Sequence, residues 1–94
     1  MPAGLPFYSR TLVRRRGTLR MQDYENLAGN SGVEAYEILR EGIRVRFNGG
    51  ATYLYDYRIP GRAHVDEMKR LALAGRGLST YIARFGGAYA RRLD

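Results

Sequence analysis

The chain has 94 residues, enough for one small domain and no more. Its 16 Lys+Arg outweigh nine Asp+Glu for a net charge of +7, which favours an anionic partner but does not determine a fold. With no Cys and one His, disulfide frameworks, thiol nucleophiles, Cys-zinc and iron–sulfur centres and multi-histidine metal sites are all excluded, and no cofactor is expected. No apolar run approaches the roughly 18 residues of a membrane span, and Met1-Pro2-Ala3 does not open a signal peptide. The expectation is a cytoplasmic chain with no membrane partner. Hydrophobic residues make up 45%, close to a globular average, so a core is within reach.

Charge divides the chain into three blocks. Residues 1–22 hold five Arg and no acid, residues 23–43 are acidic, and residues 44–94 are basic again. This pattern predicts a basic arm or hairpin over residues 1–30 and a folded body over 31–94. Within the arm, Thr11-Leu12-Val13-Arg14 and Thr18-Leu19-Arg20-Met21 flank Arg15-Arg16-Gly17. They read either as the halves of a short hairpin or as a mobile basic tail. Asn30-Ser31-Gly32 is a turn cluster that opens the body.

Val33 to Leu39 alternates imperfectly and reads as a first strand. After the Glu41-Gly42 turn, Ile43-Arg44-Val45-Arg46-Phe47 alternates strictly, the period of a half-buried strand. Asn48-Gly49-Gly50 is a hairpin signal, because Asn and Gly tolerate positive φ. Thr52-Tyr53-Leu54-Tyr55-Asp56-Tyr57 returns as a third strand, which Ile59-Pro60-Gly61 ends. From Ala63 the period becomes helical: Val65, Met68, Leu71 and Ala72 share one face, and Gly75 stops it. Asp66 and Glu67 early, with Lys69-Arg70 later, match a helix dipole. Ser79 or Thr80 is placed to cap a second, short helix with Tyr81, Ile82 and Phe85 on its inner face, ended by Gly86-Gly87. The expected fold is therefore α+β: a small antiparallel meander of about three strands followed by two helices on one face, β-β-β-α-α.

Arginine and tyrosine together are the best functional lead. Arg binds phosphate bidentately and stacks on bases, and Tyr offers a stacking face to unpaired bases. The hairpin decides whether they share a surface. A two-residue Asn48-Gly49 loop sets Tyr53, Tyr55 and Tyr57 beside Arg44 and Arg46. A three-residue loop through Gly50 flips the parity and sends the tyrosines to the core face with Ile43, Val45 and Phe47. In the arm, Arg10, Arg14, Arg15, Arg16 and Arg20 form a compact cationic patch suited to salt-dependent phosphate binding or to plain solubility, and Arg91-Arg92 extends the basic surface.

Gly75-Arg76-Gly77-Leu78-Ser79-Thr80 follows a helix rather than a strand and lacks the third Gly and the Lys of a nucleotide loop. It reads as a helix break, with Arg76 available to a phosphate. His64, near Asp66 and Glu67, stands at a helix start where it is expected to be exposed, and nothing around it makes a catalytic or metal motif. Glu34, Glu37 and Glu41 read as a solvated strand face or as partners for the basic arm.

Phe47, the Asn48-Gly49 turn, Tyr53 and Tyr55, the Ile59-Pro60 corner, the Gly75-Arg76-Gly77 break, Ile82 and Phe85 together resemble the KTSC domain, a small module found at the C-terminus of some lysyl-tRNA synthetases and as stand-alone proteins. The resemblance spans residues 31–85. Ser79 and Ala83 depart from it, standing where the family pattern has Asn and a basic residue, and Arg84 follows one position later. It implies a fold, and only a hint of RNA. The sequence thus leads to a non-catalytic binding module with no small-molecule substrate. Its expected partner is nucleic acid, RNA first, held by Arg10, Arg14, Arg15, Arg16, Arg20, Arg44, Arg46 and Arg76, with Tyr53, Tyr55 or Tyr57 stacking if exposed. The alternative is a protein-interaction module, a regulator or inhibitor of phage or mobile-element type, that docks on an acidic protein surface.

Overall fold

The strict alternation of Ile43 to Phe47 and the imperfect one of Val33 to Leu39 each become a strand, and both lie at the centre of one antiparallel sheet. In the computed structural model, residues 21–93 are described. Among them the sheet has five strands in chain order: β1 (Gln22–Asp23), β2 (Val33–Leu39), β3 (Gly42–Phe47), β4 (Thr52–Asp56) and β5 (Arg91–Arg92). Two helices, α1 (Arg62–Ala74) and α2 (Leu78–Phe85), intervene between β4 and β5. The α+β class and the β2-β3-β4-α1-α2 order follow the sequence. The two outer strands were not foreseen, because two residues are too few to carry a period. The basic stretch around Arg10, Arg14, Arg15, Arg16 and Arg20 lies outside the described residues, and the hairpin-or-tail alternative goes with it.

The β3–β4 hairpin takes the longer loop. Phe47 N donates to Ala51 O at 2.8 Å and Gly50 N donates to Phe47 O at 2.9 Å, with Asn48-Gly49-Gly50 between the closing residues. Gly49 and Gly50 sit at φ +98° and +101°, which side chains with a Cβ rarely adopt. The register is then Val45 opposite Tyr53 and Ile43 opposite Tyr55, with Arg44 opposite Leu54 and Arg46 opposite Thr52. The tyrosines of β4 therefore share a face with Ile43 and Val45, and the arginines lie on the other.

Both helices press on the tyrosine face. α1 buries Val65, Met68 and Ala72, and α2 buries Leu78 and Ile82, against Val33, Tyr36, Ile43, Val45 and Tyr55. In β2 a register shift between Val33 and Ala35 lets Ala35 and Tyr36 both be buried, the physical reason that this strand alternates poorly. α1 begins at Arg62, so its first turn holds no acid and its last no base. The dipole match expected from Asp66 and Lys69 does not arise. Neither Ser79 nor Thr80 caps α2, whose N-cap is Gly77. Instead Leu78 N, fully buried, donates to the Tyr24 hydroxyl at 3.2 Å.

That bond ties the segment before Asn30 into the body. Tyr24 is 6% exposed and joins the core, and Leu27 N donates to Gly75 O at 2.7 Å. Gly75 itself adopts φ +77° at the end of α1, and a Cβ there would meet Glu25 Oε1 at 2.7 Å. The folded unit thus begins ahead of the boundary expected at residue 30, because a single aromatic anchor is not a pattern that charge blocks reveal. Among the described residues no helix is long and apolar enough to cross a membrane.

Candidate nucleic-acid interface

The sheet face opposite the helices carries the alternating arginines of β3, and neighbouring carboxylates meet them. Arg44 pairs across strands with Glu37 of β2, its Nη1 donating to Oε1. Arg46 Nε lies 3.3 Å from Glu34 Oε2, close enough for an ion pair but not aligned as a hydrogen bond. Glu34 and Glu37 therefore neutralise sheet arginines. Arg44 and Arg46, expected to be phosphate ligands, are largely engaged within the sheet.

Three arginines without such partners, Arg40, Arg58 and Arg91, collect at one end of the sheet. The β2–β3 turn supplies Arg40, the residues after β4 supply Tyr57 and Arg58, and β5 supplies Arg91. Together with Leu54 and Asp56 they line an open depression of about 740 Å³. Asp56 builds this end locally, since its Oδ1 accepts from Arg58 N and Ile59 N, both at 2.9 Å. Pro60, joined to Ile59 by a cis peptide, then leads into α1. Among the described residues no carboxylate lies within ion-pair distance of Arg40, Arg58 or Arg91.

Two more cations, from α1, approach Tyr57. The Arg62 guanidinium lies 5.1 Å from the Tyr57 ring centroid and Lys69 Nζ lies 5.2 Å from it. Lys69 Nζ also donates to Arg40 O at 3.1 Å, while the Tyr57 hydroxyl donates to Asp66 Oδ1 at 2.9 Å. Arg62 shares Asp66 at 3.6 Å. Tyr57 thus links two sets of cations, Arg40, Arg58 and Arg91, which line the depression with it, and Arg62 and Lys69, which lie against its ring, with Glu41, Asp56 and Asp66 as the nearby acids. The arrangement offers several cations and an aromatic edge to a phosphate-bearing ligand.

The other expected residues are dispersed. Tyr55 is 2% exposed and packs edge-on against Phe85. Burial, helped by the adjoining Tyr53 and Tyr89 phenols, pushes its hydroxyl up to about 12. Tyr53 is half-buried between Phe47 and Tyr89, with the Arg92 guanidinium 5.6 Å from its ring. A shared platform of β3 arginines and β4 tyrosines is therefore not formed, because the longer loop sets them on opposite faces. Of the three tyrosines, Tyr57 stands among cations. Arg76 is exposed at the break between the helices.

His64 is not the exposed residue expected at a helix start. Its Nδ1 and the Tyr81 hydroxyl are hydrogen-bonded at 2.8 Å, and its ring stacks on Phe85 at 4.6 Å and 25°. The carboxylates beside it in sequence serve elsewhere: Asp66 meets Tyr57 and Arg62, and Glu67 accepts two hydrogen bonds from Arg70, which hold its carboxyl below the usual range. Among the described residues no three His, Asp or Glu side chains gather into a metal-binding group.

Sequence reading did not bring Arg40, Arg58, Arg62, Lys69 and Arg91 together. The available signal was positional. In an antiparallel meander, alternate turns fall at the same end, so cations beside the Glu41-Gly42 and Pro60-Gly61 turns were bound to meet. Comparison with protein-family models, with curated proteins and with solved structures found no match.

Proposed function

We propose that this chain is a small nucleic-acid-binding module that grips the phosphates of single-stranded RNA at the cationic end of its sheet. The observation that carries the reading is the depression lined by Arg40, Arg58 and Arg91, none of which has a carboxylate partner among the described residues, with Arg62 and Lys69 against the Tyr57 ring at its border. The arm arginines Arg10, Arg14, Arg15, Arg16 and Arg20 add further contacts, and kinship with the KTSC family belongs to the same proposal. The role asked of the chain is binding without catalysis.

Fluorescence anisotropy of a labelled oligoribonucleotide over a range of salt tests it. Five contacts to a single strand contribute a slope of log affinity on log salt of about −3.5, to which the arm adds. Replacing Arg58 and Arg91 by Gln makes the slope shallower by about 1.4. An unchanged slope, or binding recovered only with an acidic protein, would overturn the proposal.

A further inference from the structure

A second concavity lies on the helix-bearing face, where α2 stops short of the β3–β4 hairpin. α2 is eight residues long and ends at Gly86 in the left-handed conformation. The chain then returns so that Tyr89 meets Tyr53 at 4.5 Å between ring centroids. The gap that remains has a volume of about 370 Å³ and is walled by Phe47, Tyr53, Tyr55, Ile82 and Tyr89. This is near the lower end of ligand sites, roughly 300–1,000 Å³, and suits one ring system rather than a helix or a run of peptide. Phe47–Tyr53 and Tyr53–Tyr89 meet edge-on, at 75° and 65°, so these rings are not stacked flat on one another and the walls of the slot are aromatic.

Charge and position narrow the guest further. Among the described residues no carboxylate lines the slot, and the Arg92 guanidinium lies over the Tyr53 ring. Three tyrosine rings, those of Tyr53, Tyr55 and Tyr89, meet here. The β4–β5 register places Arg92 opposite Tyr53 and Arg91 opposite Leu54, on alternate faces. One side of β5 therefore opens on the slot and the other on the phosphate-binding depression. A polynucleotide crossing β5 can set a phosphate at Arg91 and turn a base inward beside Arg92.

We infer that the slot walled by Phe47, Tyr53, Ile82 and Tyr89 takes one unpaired base of a single-stranded nucleic acid whose phosphates lie across β5. The inference rests on the nucleic-acid reading above and adds to it a stacking site on the other face of the sheet. Tyr89 is the outer wall. At 44% exposed it is replaceable without opening the core.

The test compares a short oligoribonucleotide with an abasic strand of equal phosphate count, both bound to the full chain. The base-bearing strand binds about 5- to 150-fold tighter, the range of one base stacked on an aromatic ring. Tyr89→Ala removes that advantage and leaves the salt slope unchanged, while Tyr89→Phe restores it. Equal affinity for the two strands with a steep salt slope overturns the slot and leaves the phosphate reading standing. Titration with adenosine monophosphate, followed by the ring-proton signals of Tyr53 and Tyr89, judges the slot without the polyanion. Shifts support it even where the oligonucleotide fails to bind. No shift overturns it, as do shifts produced by N-acetylphenylalanine amide alone, which would make this a peptide side-chain site.

Discussion

The two faces of the sheet are made of alternate residues of the same strands, yet they solve opposite problems. On the helix side, Ile43, Val45 and Tyr55 are at most 2% exposed, packed in one core with the fully buried Val65, Met68 and Leu78. That side is held by apolar burial, about 1.5–3 kcal/mol for each large side chain, and defines the fold. On the other side, Arg44 and Arg46 keep more than a third of their side chains exposed and are met by Glu37 and Glu34. Ion pairs of that kind contribute about 0–1 kcal/mol, so they tune charge more than stability. The difference shows why counting arginines misleads. Those that alternate with core residues acquire cross-strand acids, and those at turns and edges, Arg40, Arg58 and Arg91, stay available.

Shifting the hairpin tests this division most severely. Deleting Gly50 imposes the two-residue loop and moves Tyr53 and Tyr55 to the arginine face. The loss of about 1.5–3 kcal/mol per tyrosine is a large share of the roughly 5–15 kcal/mol that holds a domain together. Chemical denaturation should show a collapse of stability or no cooperative transition, and unaltered stability would break the comparison.

A smaller effect comes from the buried phenol. Tyr55 has its pKa raised from 10.0 to about 12 in the fold. Its contribution is therefore intact below pH 10 and is lost as pH rises towards 12, where the unfolded chain ionises first. Two pH units correspond to about 2–3 kcal/mol. Stability measured from pH 9 to 12 should fall more steeply in the native chain than in Tyr55→Phe, and parallel curves would place the phenol in water.

The smallest effect is on the arginine face. A double-mutant cycle of Arg44→Ala and Glu37→Ala should return a coupling of about 0.2–1 kcal/mol that shrinks with added salt. Arg44→Ala should also leave oligoribonucleotide affinity nearly unchanged, in contrast to the Arg58 and Arg91 replacements. A large loss with Arg44→Ala would erase the distinction between paired and available arginines.

Much of the architecture was legible because short-range patterns were strong. Val33 to Leu39 and Ile43 to Phe47 read as strands, and the Val65, Met68 and Ala72 spacing read as a helix ending at Gly75. Where the signal depended on a distant partner it was silent. Leu78 sat in an apparent loop until Tyr24, 54 positions earlier, satisfied its amide, and β1 and β5 exist only by pairing with longer strands. The candidate interface was legible in kind but not in place. Arginine and tyrosine were the residues to watch, yet the cations in and beside the depression come from a turn, a strand end, a helix and an edge strand, which no local window spans.

By itself the sequence determined the periods and the breaks: where side chains alternate, where they follow a helix, and where glycine permits the chain to turn. Those are properties of neighbouring residues. The tertiary structure alone decided which of two hairpin registers was used, because only the longer loop puts Tyr55 on the face where it meets Phe85, away from the Arg44–Glu37 pair. It also decided which positive charges were cancelled. A net charge of +7 is a sum over the whole chain, while an ion pair forms only where the fold brings two side chains within a few ångströms.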